Sequence, residues 1–171
     1  MTLPSSDRPI PAAQRFAVTL VRMKSLYEIA AVEEVKQRLA TLTPTTPRLW
    51  GKMDAPQMVA HCSAAMEMAT GDLVIPMVWI GRLIGPLFKS QYSNEKPWSR
   101  NNPTAPVLIV TGSPDLDGER LRLVALIARF HQAGPAACTT APHPFFGKLT
   151  PEEWGKGMYK HLDHHLRQFN A

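Results

Sequence analysis

Three of the chain's six histidines lie close together near the C-terminus, in the stretch YKHLDHHLRQF at residues 159–169. In an α-helix, residues four apart stand on one face, about 6 Å apart, so the imidazoles of His161 and His165 can reach one ion. His164 is rotated by about 100° from His165 and is expected to face solvent or a neighbouring helix. The spacing indicates a pair of metal ligands, provided that both side chains face the protein interior.

A third histidine lies on an earlier helical stripe. Met58, His61, Ala65 and Met68 recur at helical spacing, which places His61 in the middle of an apolar face. Three inward imidazoles would form a facial set of nitrogens with coordination positions open to water or substrate. By spacing alone, a metal site and a cluster of hydrogen-bonded core histidines remain alternatives, because buried imidazoles need partners in either case.

Four helices are predicted to position these residues. Asp54 with Gln57, and Thr150 with Glu153, have the spacing of capping boxes at helix starts. The apolar periodicity and these signals predict helices over residues 28–42, 55–69, 115–133 and 151–169. Without a persuasive strand pattern, the sequence indicates an all-α four-helix bundle with a long connection between its second and third helices.

The long connection contains the most apolar segment of the chain, residues 73–88. Because prolines and glycines interrupt it, we interpret it not as a membrane span but as a long apolar connection that includes a short helix and lies over the core or lines a pocket mouth. A lid over the site and a homodimer interface remain alternative roles for it. Further along the connection, residues 107–110 are predicted to form a short extended piece.

Length and composition favour a single domain over residues 25–171. Residues 1–24 are predicted to be a flexible arm, and Met23 is an alternative start. The arm holds four basic residues and one acidic residue, a net +3 of the total +5, so no nucleic-acid-binding surface is expected on the domain. Two cysteines cannot make a disulfide framework, which favours a cytoplasmic location.

Several motifs resemble the DinB-like metalloenzyme superfamily. They are WGKMDAPQMVAHC, HPFFG, LTPEEWGKGMYK and HLDHHLRQF, and the resemblance spans residues 24–170. It is strongest to an uncharacterised subgroup with an HxxHHxRQ ending. The resemblance implies an up-down-down-up four-helix bundle whose divalent metal, such as zinc, nickel or iron, is held by His61, His161 and His165. Many DinB-like proteins end in HHRGQ where this chain has HHLRQ, so substrate contacts do not carry over.

The resemblance also implies a reaction on a small-molecule substrate, namely thiol-dependent S-transferase or isomerase chemistry with a low-molecular-weight thiol. A metal-hydroxide hydrolase and a non-catalytic metal- or ligand-binding bundle are the alternatives. No carboxylate general base is evident, so His143 is a candidate for acid and base work. Gln168 is a second candidate, either for hydrogen bonding to a ligand histidine or for contact with an anionic substrate.

Overall fold

The computed structural model describes residues 23–171, and these residues are all-α, as predicted. Five α-helices and two short 3-10 helices make up the described part, and its only β-pairing is an isolated bridge between His143 and Gly147. The α-helices are α1 Ile29–Ala40, α2 Ala55–Thr70, α3 Trp79–Ser93, α4 Leu116–Ala133 and α5 Pro151–Gln168. The 3-10 helices are Pro106–Leu108 and Pro135–Ala137.

Helices α1, α2, α4 and α5 confirm the four predicted helices to within two residues at each end. Both predicted capping boxes are present. The Asp54 carboxylate accepts a hydrogen bond from the Gln57 backbone N–H at 2.9 Å, and the Gln57 side chain accepts one from the Asp54 N–H. Thr150 and Glu153 make the equivalent pair at the start of α5. These caps satisfy backbone donors that a helix start leaves unpaired.

The core forms where these four helices meet. Helix α2 packs on α4 and α5, and α1 packs on the same two helices, while α3 packs on α5. Helix α5 contributes a fully buried stripe of Trp154, Met158, Leu162 and Leu166. The histidine pair of α5 therefore lies on a helix whose position is fixed by extensive apolar burial.

The short helix expected within residues 73–88 is longer than predicted, because α3 covers most of this segment and continues to Ser93. Gly81 and Gly85, one turn apart, face the backbone of the segment around Phe145. A Cβ atom at Gly85 would lie 1.9 Å from the Phe145 carbonyl oxygen. The two glycines thus form the surface through which α3 contacts the segment around Phe145, and they do not interrupt the helix. The expected extended piece at 107–110 is wrong, since a 3-10 helix occupies part of it.

Helix α3 ends at the buried Lys160 of α5. Its ammonium group donates to the Gln91 carbonyl at 2.7 Å and to the backbone and side-chain oxygens of Asn94, both at 2.9 Å. A cation at a helix C-terminus complements the helix dipole and the unpaired carbonyls there. Burial lowers the pKa of Lys160 to about 8.

The predicted boundary of the N-terminal arm needs a small correction. Residues 1–22 lie outside the described residues, but Met23 packs against the core and Lys24 pairs with Glu34 of α1. The folded part therefore includes residues 23 and 24. Within residues 23–171, no helix is both long enough and apolar enough to cross a membrane.

Candidate metal centre

Helices α2 and α5 bring His61, His161 and His165 together in a buried cluster that could hold a metal ion. One ligand nitrogen from each ring lies within 4.8 Å of the others. The ring centroids are 4.7–5.1 Å apart, and the planes are steeply inclined to one another. The structure thus joins the three residues that the sequence predicts as ligands.

Hydrogen bonds fix the tautomers of two of the three rings. His61 Nδ1 lies 2.9 Å from the Leu108 carbonyl oxygen, which can only accept, so Nδ1 carries the proton and Nε2 carries the lone pair. The His165 tautomer is set through Gln168. The Gln168 amide nitrogen donates to the Trp50 carbonyl at 2.6 Å, which turns its oxygen toward His165 Nδ1 at 3.1 Å. His165 therefore also carries its lone pair on Nε2.

The surroundings of the three imidazoles lower their pKa values and so favour the neutral form. Burial lowers the pKa of His61 despite the opposing hydrogen bond to Leu108. Burial and the charges of His61 and His164 lower the pKa of His165 to about 3. Burial also lowers the pKa of His161 well below its ordinary value, and the neighbouring histidines add to that shift. Neutral imidazole is the form that binds metal, so the ligand set is ready at neutral pH.

His161 is the one member of the cluster whose hydrogen bonding is incomplete. Its Nε2 lies 3.1 Å from His61 Nε2. Its Nδ1 is buried and has no hydrogen-bond partner among the described residues. A buried polar atom without a partner is rare in folded proteins and calls for an explanation. Mutual hydrogen bonding between the histidines therefore satisfies Nε2 of this ring but leaves Nδ1 without a partner.

The chemistry of the donor set is that of a site that could hold a divalent ion. Imidazole nitrogens bind zinc at about 2.0–2.1 Å, so two nitrogens in one coordination sphere lie about 2.9–3.4 Å apart at octahedral to tetrahedral angles. The separation of 3.1 Å between the Nε2 atoms of His61 and His161 falls in that range. The second nitrogens of His61 and His165 are held by a backbone carbonyl and a side-chain amide, as is usual for metal-binding histidines.

The two candidates for catalysis have defined contacts. Gln168 is 3% exposed and hydrogen-bonds His165 of the cluster, while its role in catalysis stays a prediction. Gly51 leaves room for it, because a Cβ atom there would lie 2.2 Å from the amide nitrogen of Gln168. His143 Nδ1 accepts hydrogen bonds from the backbone N–H groups of Phe145 and Phe146. Its acid and base role stays a prediction.

His143 belongs to an aromatic wall beside the cluster. Its ring lies 5.2 Å from Tyr92 and 5.7 Å from Trp154, measured between centroids. Burial lowers the pKa of His143 to about 4. The ring is close enough to His161 for its charge to contribute to the lowered pKa of that residue. The HPFFG segment therefore lies beside the histidine cluster.

A rim of two tryptophans was missed by sequence analysis. Trp98 lies 5.8 Å from both His161 and His164, and Trp50 lies 5.9 Å from His164. The guanidinium of Arg100 sits 4.3 Å from the centroid of Trp50. His164 is thus only partly exposed, between two indoles. Both tryptophans come from loops without helical periodicity, so no sequence signal linked them to the histidines.

One carboxylate on each of the two helices that carry the histidines is engaged in ion pairs. Asp163 pairs with Arg38 at 2.8 Å and with Arg167 at 2.9 Å. Glu67 pairs with Arg122 at 2.6 Å. In the described part of the chain, the cluster contains histidines alone. Cys62 is buried next to Met58, and burial raises its thiol pKa, so it is a core residue.

The fold and the site define an all-α protein with a buried three-histidine cluster. Comparison with known families then places the chain: residues 21–171 match the family described as protein of unknown function, DUF1569. Since the match covers most of its length, the chain belongs to this family. No curated protein and no solved structure matches it.

Proposed function

We propose that this protein binds a divalent metal ion through His61, His161 and His165 and uses it in an enzymatic reaction. The observation that carries the proposal is the convergence of three neutral imidazoles, two of which have their second nitrogens held by the protein. Zinc, nickel and iron all accept such a ligand set.

The proposed reaction is transfer or isomerisation that depends on a low-molecular-weight thiol. When bound at such a site, a divalent ion lowers the pKa of a coordinated thiol or water molecule. The ion pairs of Glu67 and Asp163 favour thiol chemistry over hydrolysis, because hydrolytic zinc sites commonly use a carboxylate as general base. A thiol that ionises at the site needs no such base to become a nucleophile.

The rim supports a small anionic substrate or thiol. Trp50 and Trp98 offer flat apolar faces next to His164, and Arg100 supplies a guanidinium above one of them. A guanidinium pairs well with a carboxylate, and an indole stacks on a planar group. We therefore expect the substrate, or the thiol, to carry a carboxylate that Arg100 contacts.

The wider fold relationship is part of the same proposal. We infer that α1, α2, α4 and α5 form an up-down-down-up bundle of the DinB-like type, with α3 inserted in its long connection. Each of these four helices packs on two others in a closed ring, which supports a bundle. The placement of the three histidines on the second and last of these helices supports the DinB-like relationship.

Metal binding is tested by elemental analysis of protein purified without a histidine tag. The wild type is expected to hold about one divalent ion per chain at a three-histidine site. The double variant His161→Ala/His165→Ala should hold almost none. His164→Ala, which removes a neighbouring histidine outside the cluster, is the matched control and should keep its metal. Equal and negligible metal in all three proteins would overturn the proposal.

The reaction type is tested on cobalt-loaded protein. Adding a thiol should produce a thiolate-to-metal charge-transfer band in the wild type and in His164→Ala, and none in the double variant. Turnover of thiol and electrophile pairs should then depend on the thiol. Hydrolysis of ester or amide substrates without thiol would point to a hydrolase. Metal binding with neither band nor turnover would point to a non-catalytic binding protein.

A further inference from the structure

Helix α3 turns its small residues toward the protein and its large apolar residues toward solvent, whereas an ordinary surface helix does the reverse. Its glycines, Gly81 and Gly85, face the protein, while Trp79, Leu83 and Leu87 face outward with 77%, 72% and 77% of their surface exposed. An amphipathic surface helix normally buries its large apolar residues. This orientation follows from the close approach to the Phe145 backbone, which only a residue without a side chain permits.

The outward residues form one continuous stripe. Trp79, Leu83 and Leu87 follow each other at four-residue intervals, about 6 Å apart along the helix, and Ile80 borders them within an arc of about 100°. In residues 23–171, seven of the twelve exposed large apolar side chains lie between Val74 and Phe88. The four residues of the stripe expose on the order of 550 Å², which is close to the lower limit of what one partner contributes to a standard protein interface.

We propose that this face of α3 binds the same face of a second copy of the chain in an antiparallel, two-fold symmetric contact. The stripe is self-complementary: with Leu83 beside the two-fold axis, Trp79 of one copy meets Leu87 of the other. A two-fold contact requires only such a symmetric patch. The interface lies on α3 and does not depend on metal at the histidine cluster.

A second copy fits better than a membrane surface. A helix that lies on a membrane combines its apolar face with a charged face in contact with lipid headgroups. The opposite face of α3 is instead packed on the protein through Gly81 and Gly85. Lys89 is engaged with Glu153 of α5 at 2.9 Å. Among the side chains that the structure describes on α3, the outward face therefore offers apolar contact with little charge, as the centre of a protein interface does.

Sedimentation and light scattering on the full chain test the interface, with and without a chelator. The wild type should be a dimer at micromolar concentration in both conditions. Leu83→Glu places two like charges beside the two-fold axis and should weaken dimerisation at least a hundredfold. Leu121→Glu is the matched control, because Leu121 of α4 is 73% exposed and lies outside the stripe. It should leave the dimer intact.

A cysteine variant tests the geometry without weakening the contact. Leu83→Cys should form an intermolecular disulfide under mild oxidation, because the two-fold axis brings the two side chains within bonding distance. Leu121→Cys should not. A wild type that stays monomeric at high concentration would overturn the proposal, whether or not it binds lipid vesicles. So would a dimer that Leu83→Glu leaves intact and Leu83→Cys fails to cross-link.

Discussion

The most informative residue for testing the histidine cluster is Gln168, because it connects His165 to the backbone at Trp50. Replacing it by methionine preserves the volume but removes both hydrogen bonds. The buried His165 N–H and Trp50 carbonyl then lose their partners, at about 1–3 kcal/mol each. We therefore expect a loss of about 2–6 kcal/mol in the free energy of unfolding. Loss of such a support typically weakens metal binding tenfold to a hundredfold.

The variant Gln168→Glu separates the two effects. A glutamate oxygen still accepts the His165 N–H, and a charged acceptor makes that hydrogen bond stronger. It cannot donate to the Trp50 carbonyl, so that group is left without a partner. We expect metal affinity equal to or higher than that of the wild type, but a metal-free protein that is less stable by about 1–3 kcal/mol.

Two measurements distinguish these outcomes. Competition with a chromophoric chelator gives the metal affinity, and urea unfolding of the metal-free proteins gives the stability. The order of metal affinity should be Gln168→Glu at or above wild type, with Gln168→Met lowest. If all three proteins bind metal equally while the stabilities differ as expected, Gln168 supports the fold alone, and the argument that it orients His165 is refuted.

Three further changes have defined outcomes. The pKa of His165 is about 3 in the folded chain against an ordinary value of 6.5, so the unfolded state binds more protons between those values. Metal-free protein should therefore lose stability as the pH falls below about 6.5, measured by urea unfolding across pH, whereas above that value this group has no effect. Gly157→Ala should lower stability by about 1–3 kcal/mol, measured by thermal unfolding, because the new Cβ atom would lie 1.9 Å from the Tyr92 ring. An unchanged melting temperature would show that the ring moves aside easily. Lys160→Met should cost about 1–3 kcal/mol in urea unfolding, because it removes the donor to Gln91 and Asn94; a cost near zero would show that water replaces the ammonium group.

The sequence by itself was sufficient to locate four helices and to select the three histidines of the cluster. Apolar periodicity and local capping pairs are short-range signals, so the helix that begins at Thr150 and the one that begins at Asp54 could be located from neighbouring residues alone. The spacing of His161 and His165 put both side chains on one face of α5, because four residues make slightly more than one turn. His61 was predicted to face inward because it lies on the apolar stripe of α2.

Only the tertiary structure decided what surrounds these elements. In the sequence, Gly81 and Gly85 indicated breaks in a helix, because glycine has a low intrinsic helix propensity. In the structure, α3 packs so closely on the backbone at Phe145 that both positions require a residue without a side chain. The partners of His61 and His165 include the backbone carbonyl of Leu108 and the amide of Gln168, which is itself held by the carbonyl of Trp50. Every residue has a backbone carbonyl, so its presence in a sequence carries no information. Which carbonyl meets which ring depends on contacts between distant segments.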